Sequence, residues 1–174
     1  MKVNIGIIGA MEPEVEALIA ALEDADSETV SGVTFHTGKI AGKTVAIARC
    51  GIGKVFAALC AQTMIMKYSP DLIVNTGVGG GLAHGLSTGD IVVARDLCQH
   101  DMDTSPLGDP KGLVSGINMI WFLTDERARE VLLQCGRELS LSVKVGSIAT
   151  GDRFVATAAE KRQITSDFGA DVCE

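Results

Sequence analysis

The stretch "VNIGIIGAMEPEVEALIAALEDA", residues 3–25, decides how the rest of the chain is read. Its first seven residues form a largely apolar run that ends at Gly9. Such a run is the mark of a strand covered on both faces, as in parallel sheets. Apolar residues then recur at Val15, Leu18, Ile19 and Leu22, which is helical spacing. Pro13 falls in the first turn of that helix, where its missing N–H breaks no hydrogen bond. A buried strand running straight into a helix is the opening of an α/β domain.

The alternation continues along the chain. "GVTFHTGKIAGKTVAIARC" (32–50) reads as two strands joined by the "AGK" turn, and "GIGKVFAALCAQTMIMKY" (51–68) as a helix that starts on glycines. "PDLIVNTGVGGGLA" (70–83) is a short apolar strand entering a glycine loop, and "GDIVVARDLC" (89–98) is another strand. Residues 99–118, with Pro106 and Pro110, form a long loop, and long loops in compact domains are often functional. "IWFLTDERAREVLLQCGREL" (120–139) reads as an amphipathic helix and "SVKVGSIATGD" (142–152) as a strand ending in a turn. "VATAAEKRQITSDFG" (155–169) reads as a helix stopped by Gly169, and "ADVC" (170–173) begins one more strand. No linker, repeat or low-complexity segment interrupts the sequence, so residues 1–174 are expected to form a single α/β domain with a mainly parallel or mixed sheet.

Composition narrows the function. With 47% hydrophobic residues in 174, the chain can build a real core. A formal net charge of -7 argues against nucleic acid, because phosphate neutralisation needs clustered Lys and Arg. No apolar run reaches the roughly 20 residues of a membrane span, and Glu12 and Glu14 interrupt the only N-terminal stretch that could serve as a signal peptide. The five cysteines, Cys50, Cys60, Cys98, Cys135 and Cys173, form no C-x-x-C. They read as reduced, buried thiols of a cytoplasmic protein. The histidines, His36, His84 and His100, are not spaced with them as zinc ligands.

Ligands of open α/β sheets bind at the carboxyl ends of strands. Four loops leave strands there: "GAMEPE", "CGIGK", "NTGVGGG" and "TGDRF". "CGIGKV" (50–55) lacks the spacing of a phosphate loop and has Val55 where Ser or Thr would hold magnesium. "GVGGG" (77–81) is followed by Leu82 and so fails the dinucleotide fingerprint. These glycines fit close backbone packing, or a small ligand lying against bare backbone. "HDMD" (100–103) puts His100 and Met102 on one side of an extended chain and Asp101 and Asp103 on the other. That suits turns or an interface better than a metal. Glu14 stands in the first helical turn just past the first strand. The helix dipole favours its ionised form and burial in a cleft opposes it, a balance suited to a base acting on water. It reads equally as an ordinary first-turn acid, like Glu12 and Glu16. Phe154 stacks on a flat ring if exposed and is core if buried.

Six segments in order, "IGIIGAMEPEV", "CGIGKVFAA", "DLIVNTGVGGGL", "GDIVVARD", "HDMD" and "ATGDRFV", resemble the nucleoside phosphorylase superfamily. The branch they resemble is that of the 5′-methylthioadenosine/S-adenosylhomocysteine nucleosidases. The resemblance implies a three-layer α/β/α sandwich with a central mixed sheet, and a homodimer. It implies hydrolysis of the N-glycosidic bond of methylthioadenosine or S-adenosylhomocysteine with release of adenine, a methionine-salvage reaction that needs no cofactor or metal. It also implies site residues. Glu14 matches the water-activating glutamate, and Ala10 and Met11 lie beside sugar and water. Ile52 matches an apolar contact. Phe154 matches the ring stacked on adenine, and Val155 the residue whose backbone reads the base edge. Val78 and Gly79 lie by the sugar, with Val78 where many members carry serine. Thr104 and Leu107 fall in the loop that, in the dimer, covers the alkylthio end of the partner's substrate; this loop has fewer aromatics than is usual. Asn75 stands where phosphorylases carry a phosphate-binding arginine, which favours hydrolysis over phosphorolysis.

The ending "ITSDFGADVCE" stops at Glu174. In the family this strand continues into a Met-Glu pair that binds the ribose. A further strand then carries the Ser-Asp pair whose aspartate protonates adenine, and a closing helix follows. Glu174 aligns with the glutamate just before the Met-Glu pair. The expectation is therefore a C-terminally truncated nucleosidase, lacking the last strand and closing helix and nearly inactive. The alternatives are a futalosine hydrolase, a purine nucleoside phosphorylase, or a non-catalytic adenine-binding or dimerisation fragment.

Overall fold

The computed structural model describes residues 2–174. The chain forms two compact units, one reaching to Val78 and one from Gly79 to Glu174.

The first unit holds β1 (Ile5–Gly9), α1 (Glu12–Ala20), β2 (Glu23–Val30), β3 (Val33–Ile40), β4 (Lys43–Arg49), α2 (Lys54–Tyr68) and β5 (Leu72–Asn75). Its sheet has the order β2-β3-β4-β1-β5. β1 pairs parallel with β4 and β5, while β2, β3 and β4 form an antiparallel meander, so the sheet is mixed as the sequence predicts. The β3–β4 hairpin turns at Ala41 and Gly42, both at positive φ (49° and 74°), the geometry a two-residue hairpin turn with the right twist requires.

The side-chain alternation of β4 gives this unit three layers. Ala46 and Ala48 point toward α2, in a cluster with Ile8, Phe35, Cys60 and Met64. Val45 and Ile47 point the other way, into a cluster with Val15 of α1. Fully burying side chains such as Phe35, Ile47 and Met64 contributes roughly 1.5–3 kcal/mol each. α2 lies so close to β1 that a Cβ at Gly6 would collide with the Met64 sulfur.

The second unit holds β6 (Gly80–Gly81), β7 (Ile91–Gln99), a 3-10 turn (Ser105–Leu107), β8 (Phe122–Leu123), α3 (Glu126–Glu138), β9 (Val143–Thr150), α4 (Ala158–Phe168) and β10 (Val172–Cys173). Its sheet runs β6-β10-β9-β7-β8, with β9 parallel to β7 and β10. Cys98, Ala149, Ile164, Ala170 and Cys173 form its buried cluster, and Trp121 and Phe168, edge to face with each other, pack against it. α4 begins on a Thr157–Glu160 capping box and ends at Gly169, in the left-handed region (φ 63°).

Two helices are shorter than their sequence patterns suggest. The first stops at Ala20, and the polar segment Glu23–Val30 is a strand. It is exposed along its length except for the half-buried Val30. Pairing with β3 and the Glu28 carboxylate, which accepts from Tyr68 Oη at 2.6 Å, hold it in place. The third helix starts only after Asp125, whose side chain caps Ala128 N at 2.7 Å. Phe122–Leu123 ahead of it pairs with β7 instead.

None of the five cysteines is in a disulfide. Burial pushes the thiols of Cys60 and Cys98 up to about 12, so both pack as neutral apolar groups. Among the described residues no helix is long and apolar enough to cross a membrane.

Candidate active site

Because β1, β4 and β5 run parallel, the loops that follow them leave the same edge of the first sheet. Backbone bonds knit the three together there, with Cys50 N on Gly9 O and Thr76 N on Ile8 O, both at 2.9 Å. α1 starts at this edge, and Glu14 is in its first turn.

Three backbone donors converge on the Glu14 carboxylate. Oε2 accepts from Ala10 N at 2.7 Å and Met11 N at 2.8 Å, and Oε1 accepts from Val78 N at 3.1 Å. The three acids of this turn, which the sequence leaves equivalent, are thereby separated. Glu12 is exposed and pairs with Arg49 at 2.8 Å; Glu16 is exposed; Glu14 is half-buried and ringed by amides. A carboxylate held by fixed N–H groups loses no freedom when it meets a water, and Oε1, which accepts a single bond, keeps a lone pair for that water.

Two glycines make room for this seat, and sequence reasoning missed both. A Cβ on Gly77 would sit 2.8 Å from Glu14 Oε1, and one on Gly9 would sit 3.1 Å from Glu14 Cβ and 2.7 Å from Val15 Cγ1. The available signal was the coincidence of glycines at two neighbouring strand ends with a glutamate one turn into the helix.

Of the other residues expected here, Ala10, Met11 and Val78 join Glu14 through their backbone. The Val78 side chain is 72% exposed and takes no part in those bonds. Ile52 stands in the loop before α2, 74% exposed. Asn75 closes β5 at the same edge.

The remaining candidates lie in the second unit. Gly79 packs against β10, where a Cβ would fall 2.5 Å from Val172 Cγ1 and 3.9 Å from Glu174 Cβ. Glu174 extends that strand, its N–H on Ala149 O and its carbonyl accepting from Gly151 N, both at 3.1 Å. Phe154, just past β9, is 94% exposed and so is not part of the core. Val155 is half-buried against the core cluster. The turn before them is braced by "HDMD": Asp101 Oδ2 accepts from Asp152 N at 2.8 Å, and Gly151 lies against the His100 ring. Thr104 donates to Asp109 Oδ2 at 2.8 Å, and Leu107 projects from the 3-10 turn, exposed. A cleft of about 340 Å³ in this unit is lined by Asp101, Arg153 and Val155 and by Glu160, Ile164 and Phe168 of α4. Among the described residues no group of three or more His, Cys, Asp or Glu side chains is placed to hold a metal ion.

Residues 4–174 match the model of the phosphorylase superfamily. A 5′-methylthioadenosine/S-adenosylhomocysteine nucleosidase of a Shewanella species is 36% identical over 173 residues, covering 95% of this chain and 71% of that protein. The crystal structure of the nucleosidase of the same name from Neisseria meningitidis, in complex with methylthio-immucillin-A, is 32% identical with a TM-score of 0.95. That match covers 98% of this chain and 74% of the Neisseria chain. The native structure of futalosine hydrolase from Helicobacter pylori is 31% identical with a TM-score of 0.94, over 99% of this chain and 75% of that one. The chain thus belongs to the phosphorylase superfamily, in its branch of 5′-methylthioadenosine/S-adenosylhomocysteine nucleosidases.

Proposed function

We propose that the protein hydrolyses the N-glycosidic bond of 5′-methylthioadenosine or S-adenosylhomocysteine and releases adenine, with Glu14 as the base that takes a proton from the attacking water. The observation that carries this reading is the set of three backbone N–H groups on the Glu14 carboxylate, which aims the side chain of one acid among three. In the reaction the water oxygen bonds to the anomeric carbon and its proton passes to Glu14. The carbon–nitrogen bond breaks, and its electrons leave with adenine, which takes up a proton from solvent, while Glu14 later returns its proton to solvent. The transition state is oxocarbenium-like, so a fixed anion near the sugar favours it electrostatically.

The family resemblance supplies the other roles. Ala10, Met11, Val78 and Gly79 lie by the sugar and water, and Ile52 gives an apolar contact. Phe154 stacks on the adenine, which its exposure permits, and Val155 offers backbone to the base edge. Thr104 and Leu107 serve the alkylthio end of a partner's substrate, and Glu174 borders the ribose. Asn75 favours water over phosphate as the nucleophile.

A homodimer suits the surface. α2 leaves Val55, Phe56, Leu59 and Met66 more than half exposed, an apolar face of the kind that partners cover. A cytoplasmic setting suits five cysteines without a disulfide, and a role in methionine salvage is what the family resemblance implies.

Futalosine hydrolysis is the second reading, favoured by the likeness to the Helicobacter pylori enzyme. Adenine release from methylthioadenosine, S-adenosylhomocysteine and futalosine, each with and without phosphate, separates the two. Slow, phosphate-independent release, fastest from the first two, is the expected result. Preference for futalosine, or a need for phosphate, contradicts it.

A further inference from the structure

We infer that Gly77 is a positioning residue for the base: the space left by its missing side chain is where the Glu14 carboxylate sits. This rests on the reading of Glu14 given above. A Cβ built on Gly77 has as its three nearest atoms Oε1, Cδ and Oε2 of Glu14, at 2.8, 3.1 and 3.3 Å. The three nearest neighbours are thus all atoms of the carboxyl group. The peptide that follows Gly77 gives its N–H, from Val78, to Oε1 at 3.1 Å. Residues 77 and 78 therefore form one wall of the seat, bare on one side and donating on the other.

Gly77 is outside the left-handed region, so nothing in its backbone conformation demands glycine. The contrast with Gly79 is instructive. A Cβ there meets Val172 Cγ1 and the Cys173 carbonyl, parts of the packed sheet, and its glycine serves the fold. At Gly77 the obstacle is the far end of a flexible side chain. An alanine there leaves the fold intact and pushes the carboxylate off its amides. A displacement of about 1 Å is enough to reduce a rate on the order of 100-fold.

The test is Gly77→Ala, alone and combined with Glu14→Gln. Its first readout is independent of turnover: the backbone amide resonances of Ala10, Met11 and Val78. In Gly77→Ala they shift together, with chemical shifts elsewhere in the unit retained. The second readout is adenine release from methylthioadenosine. Gly77→Ala lowers kcat roughly 10- to 100-fold with KM little changed. Added to Glu14→Gln it lowers kcat no further, as residues acting through one another do. Unmoved amide resonances overturn the inference, as does an equal loss of kcat in the wild-type and Glu14→Gln backgrounds. Full activity of Glu14→Gln, or no release by the unmodified protein, counts against the reading of Glu14 as base, and the amide shifts still decide whether Gly77 sets its position.

Discussion

Met11 donates its backbone N–H to Glu14 Oε2 at 2.8 Å, three residues further along the chain. Taken alone, this is what a glutamate in the first turn of a helix does when it reaches back to the capping residue. The bond from Val78 N to Oε1 goes beyond that, because it joins residues 64 apart and ties the end of β5 to the first turn of α1. A helix cap has no need of such a bond. Glu14 is held at a strand edge, where parallel α/β sheets place their chemistry.

The aromatic ring assigned to adenine can be removed without harm to the fold. Phe154 is 94% exposed, so Phe154→Ala should leave unfolding by urea unchanged to within about 0.5 kcal/mol. A stacking contact contributes about 0.5–1.5 kcal/mol beyond the area it covers. The dissociation constant for an adenine nucleoside, measured by calorimetry, should rise roughly 10-fold.

The loop carrying Phe154 and Val155 is anchored at its far end by the cap of α4. Thr157 Oγ1 accepts from Glu160 N at 3.2 Å, and Glu160 Oε2 accepts from Thr157 N at 3.0 Å. Thr157→Ala should lower stability by about 1 kcal/mol in urea titration. It should weaken nucleoside binding as well, because the last residues of the loop lose their fixed end.

Acid should loosen the start of β7. The Asp90 carboxyl is held at about 2, below its ordinary 3.8, first by the Ser142 hydroxyl and then by the Ser87 N–H and the Lys144 ammonium. A carboxyl whose folded value is depressed stabilises the fold above its unfolded value and loses that contribution as the pH falls. Asp90→Asn should therefore be less stable than the wild type at neutral pH. The gap should narrow as the pH falls from about 4 to about 2, when thermal unfolding is followed by circular dichroism.

Much of this was legible in the sequence, and the exceptions have physical causes. β1, β4 and β5 were readable because burial on both faces demands continuous apolar runs, and α4 because Gly169 marks its end. β2 was not, since "EDADSETV" faces water and owes its extended state to β3 and to the Glu28–Tyr68 bond. Phe122–Leu123 merged into the helical pattern of α3, and only the Asp125 cap separates them. At the site, Glu14 was visible as one of three first-turn acids. Choosing among them required Val78 N, a donor 64 residues away that no local pattern reveals. Gly77 looked like one more glycine of a loop rich in them, because a missing side chain has no chemistry of its own and only its position beside Gly9 and Glu14 marks it.

The most direct test of the account is the rate of adenine release from methylthioadenosine in phosphate-free buffer, by the unmodified protein and by Glu14→Gln. The side chains are nearly the same size, so binding and fold should be kept while the base is lost. Slow release by the unmodified protein, lowered further by up to roughly 10²- to 10⁴-fold in the variant, is the predicted result. Equal rates, or release that appears only when phosphate is added, would contradict it.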